Sequence, residues 1–356
     1  MMTLRQFSLG IESIPISTSW YLAELGEALG KQELFTKQSP QKLKALREHA
    51  VIESAVSSNR IEGVVIEQSR IGTVVFGKSK LRDRDEEEVR GYRDALRVIH
   101  ELCYGLPITE SNLKEFHRKI MGRVADAGQY KEKDGDIIEK YPDGRERVRF
   151  KTVTAADAPE FMRGIIGLWN DCLRERWVHP LIAMAAMNLD FLCVHPFRDG
   201  NGRVSRLLLL LGCYHLGYEV GRYVSLERII EENKERYYET LEESSRAWHE
   251  GKQNPWPYVN YLLFILKIAY REFEERVGHI ASPKGAKTEM VINAITKRTN
   301  AFSVADIQRQ CPSVSVDLIR IVLKKLRPQV ECLGRGRDAK WQKTSEWSAD
   351  NTRLPG

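Results

Sequence analysis

Two apolar stretches separated by only seven residues constrain this chain more than any other feature of it. Pro180–Val194 and Gly202–Leu216 both read as helices. Pro180 suits a first helical turn, and runs such as Phe191-Leu192-Cys193-Val194 and Leu207–Leu211 leave little polar face. Helices that are apolar nearly all round are buried. The loop between them is therefore held by two core elements, a rigid mounting for functional groups. The first stretch is no membrane span: it contains Asn188 and Asp190 and falls short of the roughly 20 apolar residues a crossing needs. Met1–Thr18 carries an early arginine but no sustained apolar segment, so no signal peptide is expected. A soluble, cytoplasmic protein without a membrane partner follows as the expectation.

The other elements are predicted mainly helical. Gln41–Ser57 has apolar residues at helical spacing (Leu43, Leu46, Ala50, Ile52, Ala55, Val56) and runs into Ser58-Asn59-Arg60-Ile61-Glu62-Gly63, where Gly63 suits a helix stop. Asp83–Leu102 reads as a charged surface helix. Thr109–Val124 opens with capping chemistry. Ala158–Trp177, Arg228–Glu250 and Tyr258–Val277 extend the helical body. One segment departs from it. Ile137-Ile138 and Val148–Phe150 flank Tyr141-Pro142-Asp143-Gly144, the pattern of a β-hairpin. A flap over a site and a surface excursion both fit it. Gly72-Thr73-Val74-Val75-Phe76-Gly77-Lys78-Ser79 matches a phosphate-loop pattern to the letter. Its bulky, β-branched spacer is poor for curling backbone N–H groups around an anion, so the match is read as accidental. The six cysteines (103, 172, 193, 213, 311, 332) show no CxxC spacing and read as small buried apolar residues in a reducing compartment.

The loop itself is His195-Pro196-Phe197-Arg198-Asp199-Gly200-Asn201-Gly202-Arg203-Val204-Ser205-Arg206. Gly200, Asn201 and Gly202 fall where the second helix begins, and unpaired backbone N–H groups there form an anion site. Arg203 and Arg206 share a face of its first turn. Cations oppose the dipole at that end, so two of them imply an anion that offsets the cost. Asp199 beside a phosphate suits Mg²⁺, which takes few carboxylates plus phosphate oxygens. His195 is the group able to accept a proton near neutral pH. Singly these features are a cap, a solvated pair and a turn; in this order between two apolar helices they form a phosphate-chemistry site.

The twelve residues match in full the signature of the Fic family, HPFxxGNGRxxR with an acidic residue before the first glycine. The resemblance extends over roughly residues 50–275. It implies a mainly α, Fic-type helical bundle with a β-hairpin flap, and transfer of AMP from ATP to Ser, Thr or Tyr hydroxyls of proteins, the chain itself included, with release of diphosphate. It also implies site roles. His195 is the base, Asp199 holds Mg²⁺, Gly200, Asn201 and Gly202 cradle phosphate, Arg203 contacts the phosphates and Arg206 holds the γ-phosphate. Ile137 and Ile138 lie in the flap that aligns the target by strand addition. Tyr237 and Tyr238 resemble residues lining the adenine pocket, although Ser244 and Ser245 stand where an Asn is common. Ser58-Asn59-Arg60-Ile61-Glu62-Gly63 fits the family's inhibitory pattern [S/T]xxxE[G/N], carried on a helix at about residues 50–63. Glu62 would then compete with the γ-phosphate for Arg206 and leave ATP misplaced for in-line attack. Removal of AMP, and a DNA-binding regulator whose Fic body senses nucleotide, remain as alternatives.

Net charge is +6 for the whole chain, yet residues 283–343 hold 13 Lys/Arg against 5 Asp/Glu, a net +8, which leaves the remainder at −2. Ala281–Gly285 reads as a linker. Beyond it, Thr288–Lys297, Ser303–Gln310 and Ser315–Leu326 are predicted helices, and Gln329–Gln342 a hairpin around Gly334-Arg335-Gly336. This layout resembles the winged helix-turn-helix modules found on some bacterial Fic proteins. In that reading Arg320, Lys324, Lys325 and Arg327 lie on a recognition helix, and Arg335, Arg337 and Lys340 on the wing. Duplex DNA and an acidic protein both remain as partners. The expected division is 1–105, an N-terminal helical region; 106–280, the catalytic domain; and 286–345, the winged helix. The sequence fixes no target and no oligomeric state, and a homodimer is compatible with it.

Overall fold

The structure is a computed structural model that describes residues 2–347, apart from 11–12, 37–39, 78–79, 141–143, 280–285, 313, 328, 335 and 337–338. In chain order it begins with α1 (Thr3–Ser8), α2 (Ile16–Thr36), α3 (Pro40–Ile61), α4 (Ile71–Phe76), α5 (Arg84–Leu102) and α6 (Glu110–Met121). An antiparallel hairpin of β1 (Asp136–Lys140) and β2 (Glu146–Lys151) follows. Then come α7 (Ala158–Glu175), α8 (Pro180–Val194), α9 (Asn201–His215), α10 (Leu226–Glu232), α11 (Lys234–Ser245) and α12 (Trp256–His279).

The apolar pair forms the centre. Every residue of α8 from Leu181 onward is buried except Leu192, and every residue of α9 up to Tyr214 except Gly202. The two polar groups of α8 have fixed partners. Asp190 accepts from the Thr3 and Leu4 backbone amides (2.7 and 3.0 Å) and from Trp248 Nε1 (2.7 Å), docking α1 onto α8. Asn188 donates to the Ser205 carbonyl (2.7 Å) and accepts from Tyr258 (2.7 Å), tying α8 to α9 and α12. Buried polar groups persist in a core on such terms.

Several boundaries follow from capping. Asp83 and Thr109 accept the amides of Glu86 and Asn112 at the starts of α5 and α6. α3 ends at Gly63 (φ +86°), where the amides of Gly63 and Val64 return to the carbonyls of Arg60 and Asn59. Two expectations need correction. α5 is no surface helix: Glu86, Glu88, Tyr92, Ala95 and Leu96 are buried, because distant arginines pair with its acids. The segment from Arg228 is two helices, broken at Asn233. Residues 71–76 of the apparent phosphate loop are the helix α4, which bears out its rejection. The tip of the hairpin at Tyr141–Asp143 and the linker at Ala281–Gly285 lie outside the described residues.

After that linker stand α13 (Ala286–Thr296), β3 (Phe302–Ser303), α14 (Val304–Gln310), α15 (Val316–Lys325), β4 (Val330–Leu333) and β5 (Lys340–Lys343). The strands form an antiparallel sheet ordered β3-β5-β4. Val291, Ile295, Phe302, Ile307, Ile319, Val322, Leu323 and Val330 build a second core, distinct from that of the helical body. Cys332 is half-buried and the other five cysteines are buried thiols.

Candidate active site

The loop from His195 to Gly200 joins α8 to α9. His195 ends α8 in the left-handed region (φ +51°), its amide bonded to the Phe191 carbonyl. A non-glycine residue there carries backbone strain and is held by its surroundings. Asn201 supplies part of that hold: it accepts from the Phe197 amide (2.9 Å) and donates to the Phe197 carbonyl (2.7 Å). Phe197 is fully buried and stacked on His117, ring centroids 3.9 Å apart. The Gly128 amide donates to His117 Nδ1 (2.8 Å), so its proton sits on Nε2, which donates to the Asp199 carbonyl (3.0 Å). Gly200 (φ +76°) admits no side chain, because a Cβ would meet Met121 and His117.

Burial, then the charge of Lys131, push the His195 imidazole down to about 4, so it is neutral at pH 7. Its Nδ1 lies 3.4 Å from the Leu192 carbonyl, which can only accept. That contact favours the Nδ1–H tautomer and leaves Nε2 with a lone pair. A neutral imidazole with an exposed lone pair is a proton acceptor.

The two arginines of α9 differ. Arg203 is buried, ion-paired with buried Glu88 of α5, 3.4 Å from Asn59 Oδ1 and 3.6 Å from the Asp199 carboxylate. Its Nη1 is thus committed to a protein acid, while its Nε is buried with no hydrogen-bond partner among the described residues. Arg206 is gripped by the end of α3: its Nε donates to Ser58 Oγ (2.8 Å), and its Nη2 to the Ser58 carbonyl (2.9 Å) and Glu62 Oε1 (2.7 Å). Burial opposes the charge on Arg206, but Glu62 and nearby groups hold its guanidinium above the ordinary value. Its Nη1 is buried with no hydrogen-bond partner among the described residues. Gly202 makes room for the contact, since a Cβ there would fall 2.2 Å from Glu62 Oε1.

Asp199 is exposed, 3.6 Å from Arg84 as well as from Arg203. No group of three or more His, Cys, Asp or Glu side chains that could hold a metal ion occurs among the described residues. Tyr237 is buried against Tyr258 and Tyr261, and Tyr238 is half-buried beside Arg149 and Lys234. Ser244 Oγ is spent on the Tyr258 amide (3.1 Å). In the hairpin, Ile137 faces Phe150 and Ile138 faces Val148 across an irregularity of register. Ile138 and Val148 are exposed. β2 is anchored to α11 by Arg147 and Arg149 on Glu242.

The fold and loop have counterparts in known proteins. Residues 107–212 match the model of the Fic/DOC family. The chain carries a Fic domain. Fic proteins named as protein adenylyltransferases are similar to it: one from Nematostella vectensis is 26% identical over 176 residues, 47% of this chain and 38% of that protein, and fic-1 from Caenorhabditis elegans is 30% identical over 158 residues, 41% and 27% respectively. The chain thus spans less than two-fifths of the curated relatives it matches. The crystal structure of a Fic family protein from Desulfovibrio desulfuricans G20 superposes with a TM-score of 0.60 at 22% identity, covering 95% of this chain and 99% of that one. Caenorhabditis elegans Fic-1 (residues 134–508) gives 0.57 at 20% identity, covering 74% of each. The chain is therefore mainly helical, with a Fic fold.

A cleft of about 710 Å³ lies away from the Fic loop, between α3, α10, α12 and the C-terminal helices. Its wall charges pair with one another, His49 with Glu53 at 3.2 Å and Arg228 with Glu53 at 3.3 Å. The Fic loop instead offers a neutral base, an exposed carboxylate and an arginine whose Nη1 has no hydrogen-bond partner among the described residues.

No sequence pattern marked Glu88, His117 or Lys131. His117 sits on the apolar face of α6 with Leu113, Phe116 and Ile120, and that placement was its one available signal.

Proposed function

We propose that this chain transfers the adenylyl group of ATP to a hydroxyl-bearing side chain of a protein, and that Glu62 restrains it. The observation that carries this reading is the grip of Ser58 and Glu62 on Arg206. A carboxylate bonded at 2.7 Å to the first-turn arginine of α9 stands where an anion would offset the charge. The unpartnered Nη1 of Arg206 leaves a donor for the terminal phosphate.

In the active state Glu62 withdraws and Arg206 takes the γ-phosphate. The amides of Asn201 and Gly202 at the start of α9 would meet the anion, while that of Gly200 donates to Asp199 Oδ1 (2.6 Å). The Asn201 side chain holds the loop closed and Arg203 braces it through Glu88. The target hydroxyl attacks the α-phosphorus, its proton passes to Nε2 of His195, and the bond to the leaving diphosphate breaks. Asp199 is the residue that would hold Mg²⁺; its exposed carboxylate fits an ion that takes most other ligands from phosphate and water. When bound, the ion neutralises charge on the phosphates. The exposed β1–β2 hairpin, with Ile137 and Ile138, lends an edge for a target strand. Tyr237 and Tyr238 flank the adenine side. The C-terminal module, three helices and a three-stranded sheet, is read as a winged helix with an affinity for duplex DNA.

The test is transfer of label from α-labelled ATP to the chain itself. Glu62→Gly is expected to raise it at least about tenfold, the order expected when a charge-assisted partner is removed. Adding His195→Ala should lower it by roughly 10²–10⁴ while ATP still binds. Equal labelling with and without Glu62 sinks the restraint; labelling that survives His195→Ala sinks the base. Loss of AMP from a pre-labelled target, with Glu62 intact, would favour the reverse reaction.

A further inference from the structure

Lys131 lies in the connection between α6 and the hairpin, and it is buried. Three bonds leave it. Its amide donates to the Pro196 carbonyl (2.8 Å), and its ammonium donates to Thr152 Oγ1 (2.7 Å) and reaches the Val194 carbonyl (3.4 Å). Val194 and Pro196 flank His195, so one residue holds the base loop on both sides of the base. Thr152 in turn donates to the Gly135 carbonyl. Gly135 and Thr152 stand next to the Asp136–Lys151 pair that closes the foot of the β1–β2 hairpin. A continuous chain of hydrogen bonds therefore runs from the hairpin foot through Thr152 and Lys131 to the backbone around His195.

We propose that Lys131 is a positioning residue that locks the hairpin to the base loop and so sets the distance between a hairpin-bound target segment and His195. The proposal rests on the reading of His195 as the base. Geometry explains why a lysine suits the place. A buried ammonium needs acceptors, and the hairpin side (Thr152 Oγ1) and the end of α8 (the Val194 carbonyl) supply them. Burial pulls the ammonium below its ordinary value, while Asp134 and Asp136 work to keep it charged. A fixed cation here also disfavours a second positive charge on His195. Besides burial and Lys131, the groups that act on that imidazole are the Leu192 carbonyl, Glu62 and Asp199, each of which pulls the other way. One residue thus joins two roles, spacing and keeping the base unprotonated.

The experiment uses the full chain carrying Glu62→Gly, in which transfer is readable. Lys131→Met, Lys131→Arg and Thr152→Val are compared by rate of self-labelling against pH. The His195 ring is also titrated by NMR without nucleotide, assigned with His195→Gln. In Lys131→Met, the NMR midpoint and the acid limb of the rate should both move to higher pH, by on the order of half a pH unit. The rate at pH 8 should fall roughly tenfold or more from lost placement. Lys131→Arg should keep the midpoint. Thr152→Val breaks the link to the hairpin but keeps the charge, so its rate should fall with the midpoint unmoved. A residue that merely aids folding would lower rates without moving the midpoint, so an unmoved midpoint in Lys131→Met overturns the electrostatic role. An unchanged rate in Thr152→Val overturns the coupling, and decides alone if Lys131→Met does not fold. Absence of labelling in the parent chain would refute the transfer reading instead, leaving the NMR midpoint as the test of Lys131.

Discussion

The base loop and the C-terminal module both carry dense charge, and they handle it in opposite ways. In the loop, several buried polar groups are paired within the protein. Arg203 is paired with Glu88, Asn201 with the Phe197 backbone, and His117 with the Asp199 carbonyl and the Gly128 amide. In the module, Arg320, Lys324, Lys325, Arg327 and Lys340 are exposed. Arg320 has only a loose contact, 3.7 Å, to Asp317 on its own helix. Arg320 and Lys324 stand four apart on α15 and share a face. Buried charge without a partner is costly, so it becomes structure. Exposed charge costs little and stays available to something outside the chain. The buried charges around the loop are held by protein partners, and the exposed cations of α15 are left largely to solvent.

The sharpest way to break that contrast is to remove one partner on each side. Glu88→Ala leaves Arg203 charged and buried with only the exposed Asp199 (3.6 Å) and Asn59 (3.4 Å) as partners, and should lower the free energy of unfolding by about 3 kcal/mol. Arg320→Ala should change it by less than about 0.5 kcal/mol. Urea unfolding of the full chain, followed by tryptophan fluorescence, checks both. A loss below about 1 kcal/mol for Glu88→Ala would mean that the loop is not held through Arg203.

The same contrast explains what could be read in advance. The loop was legible because glycine, asparagine and histidine have local reasons to stand where they do. Gly200 needs its positive φ, Gly202 needs its missing Cβ beside Glu62, and α8 and α9 are apolar on all sides. The pairing of Glu62 with Arg206, 144 residues apart, came from the resemblance. What stayed hidden depends on distant partners. α5 looks like a surface helix because Glu86 and Glu88 are acidic, and nothing near them in sequence names Arg70 or Arg203 as their partners. Lys131 is one lysine among many until the fold brings Val194, Pro196 and Thr152 around it. β3 is two residues long and has no alternating pattern to detect. In the module, exposed charge is compatible with DNA and with an acidic protein alike, because neither leaves a local sequence pattern.

A finer test asks whether the missing Cβ at Gly202 serves the restraint. In Gly202→Ala the new methyl would meet the end of the Glu62 side chain, 2.2 Å from Oε1 and 3.0 Å from Cδ. A flexible carboxylate moves more cheaply than backbone, so Glu62 should be displaced from Arg206. Self-labelling is then expected to rise severalfold, less than in Glu62→Gly, because the methyl also crowds the anion site. The decisive measure is the cycle. If Gly202 acts through Glu62, adding Gly202→Ala to Glu62→Gly should bring no further gain. Independent, multiplying effects would show that the glycine serves phosphate approach alone.

The smallest expected effect lies in the module. If the shared face of α15 meets phosphates, binding of the full chain to duplex DNA weakens linearly on a plot of log affinity against log salt. Arg320→Ala and Lys324→Ala should each reduce that slope by about one, with little preference among sequences. Lys131→Met, buried in the helical body, should leave the slope unchanged. Fluorescence anisotropy with a labelled duplex between low and moderate salt measures it. Binding that is absent at low salt would remove DNA as the partner. The same face would then fit an acidic protein surface, because Ile321 and Leu333 stand exposed beside the cations, and apolar groups add more to a protein contact than to a phosphate backbone.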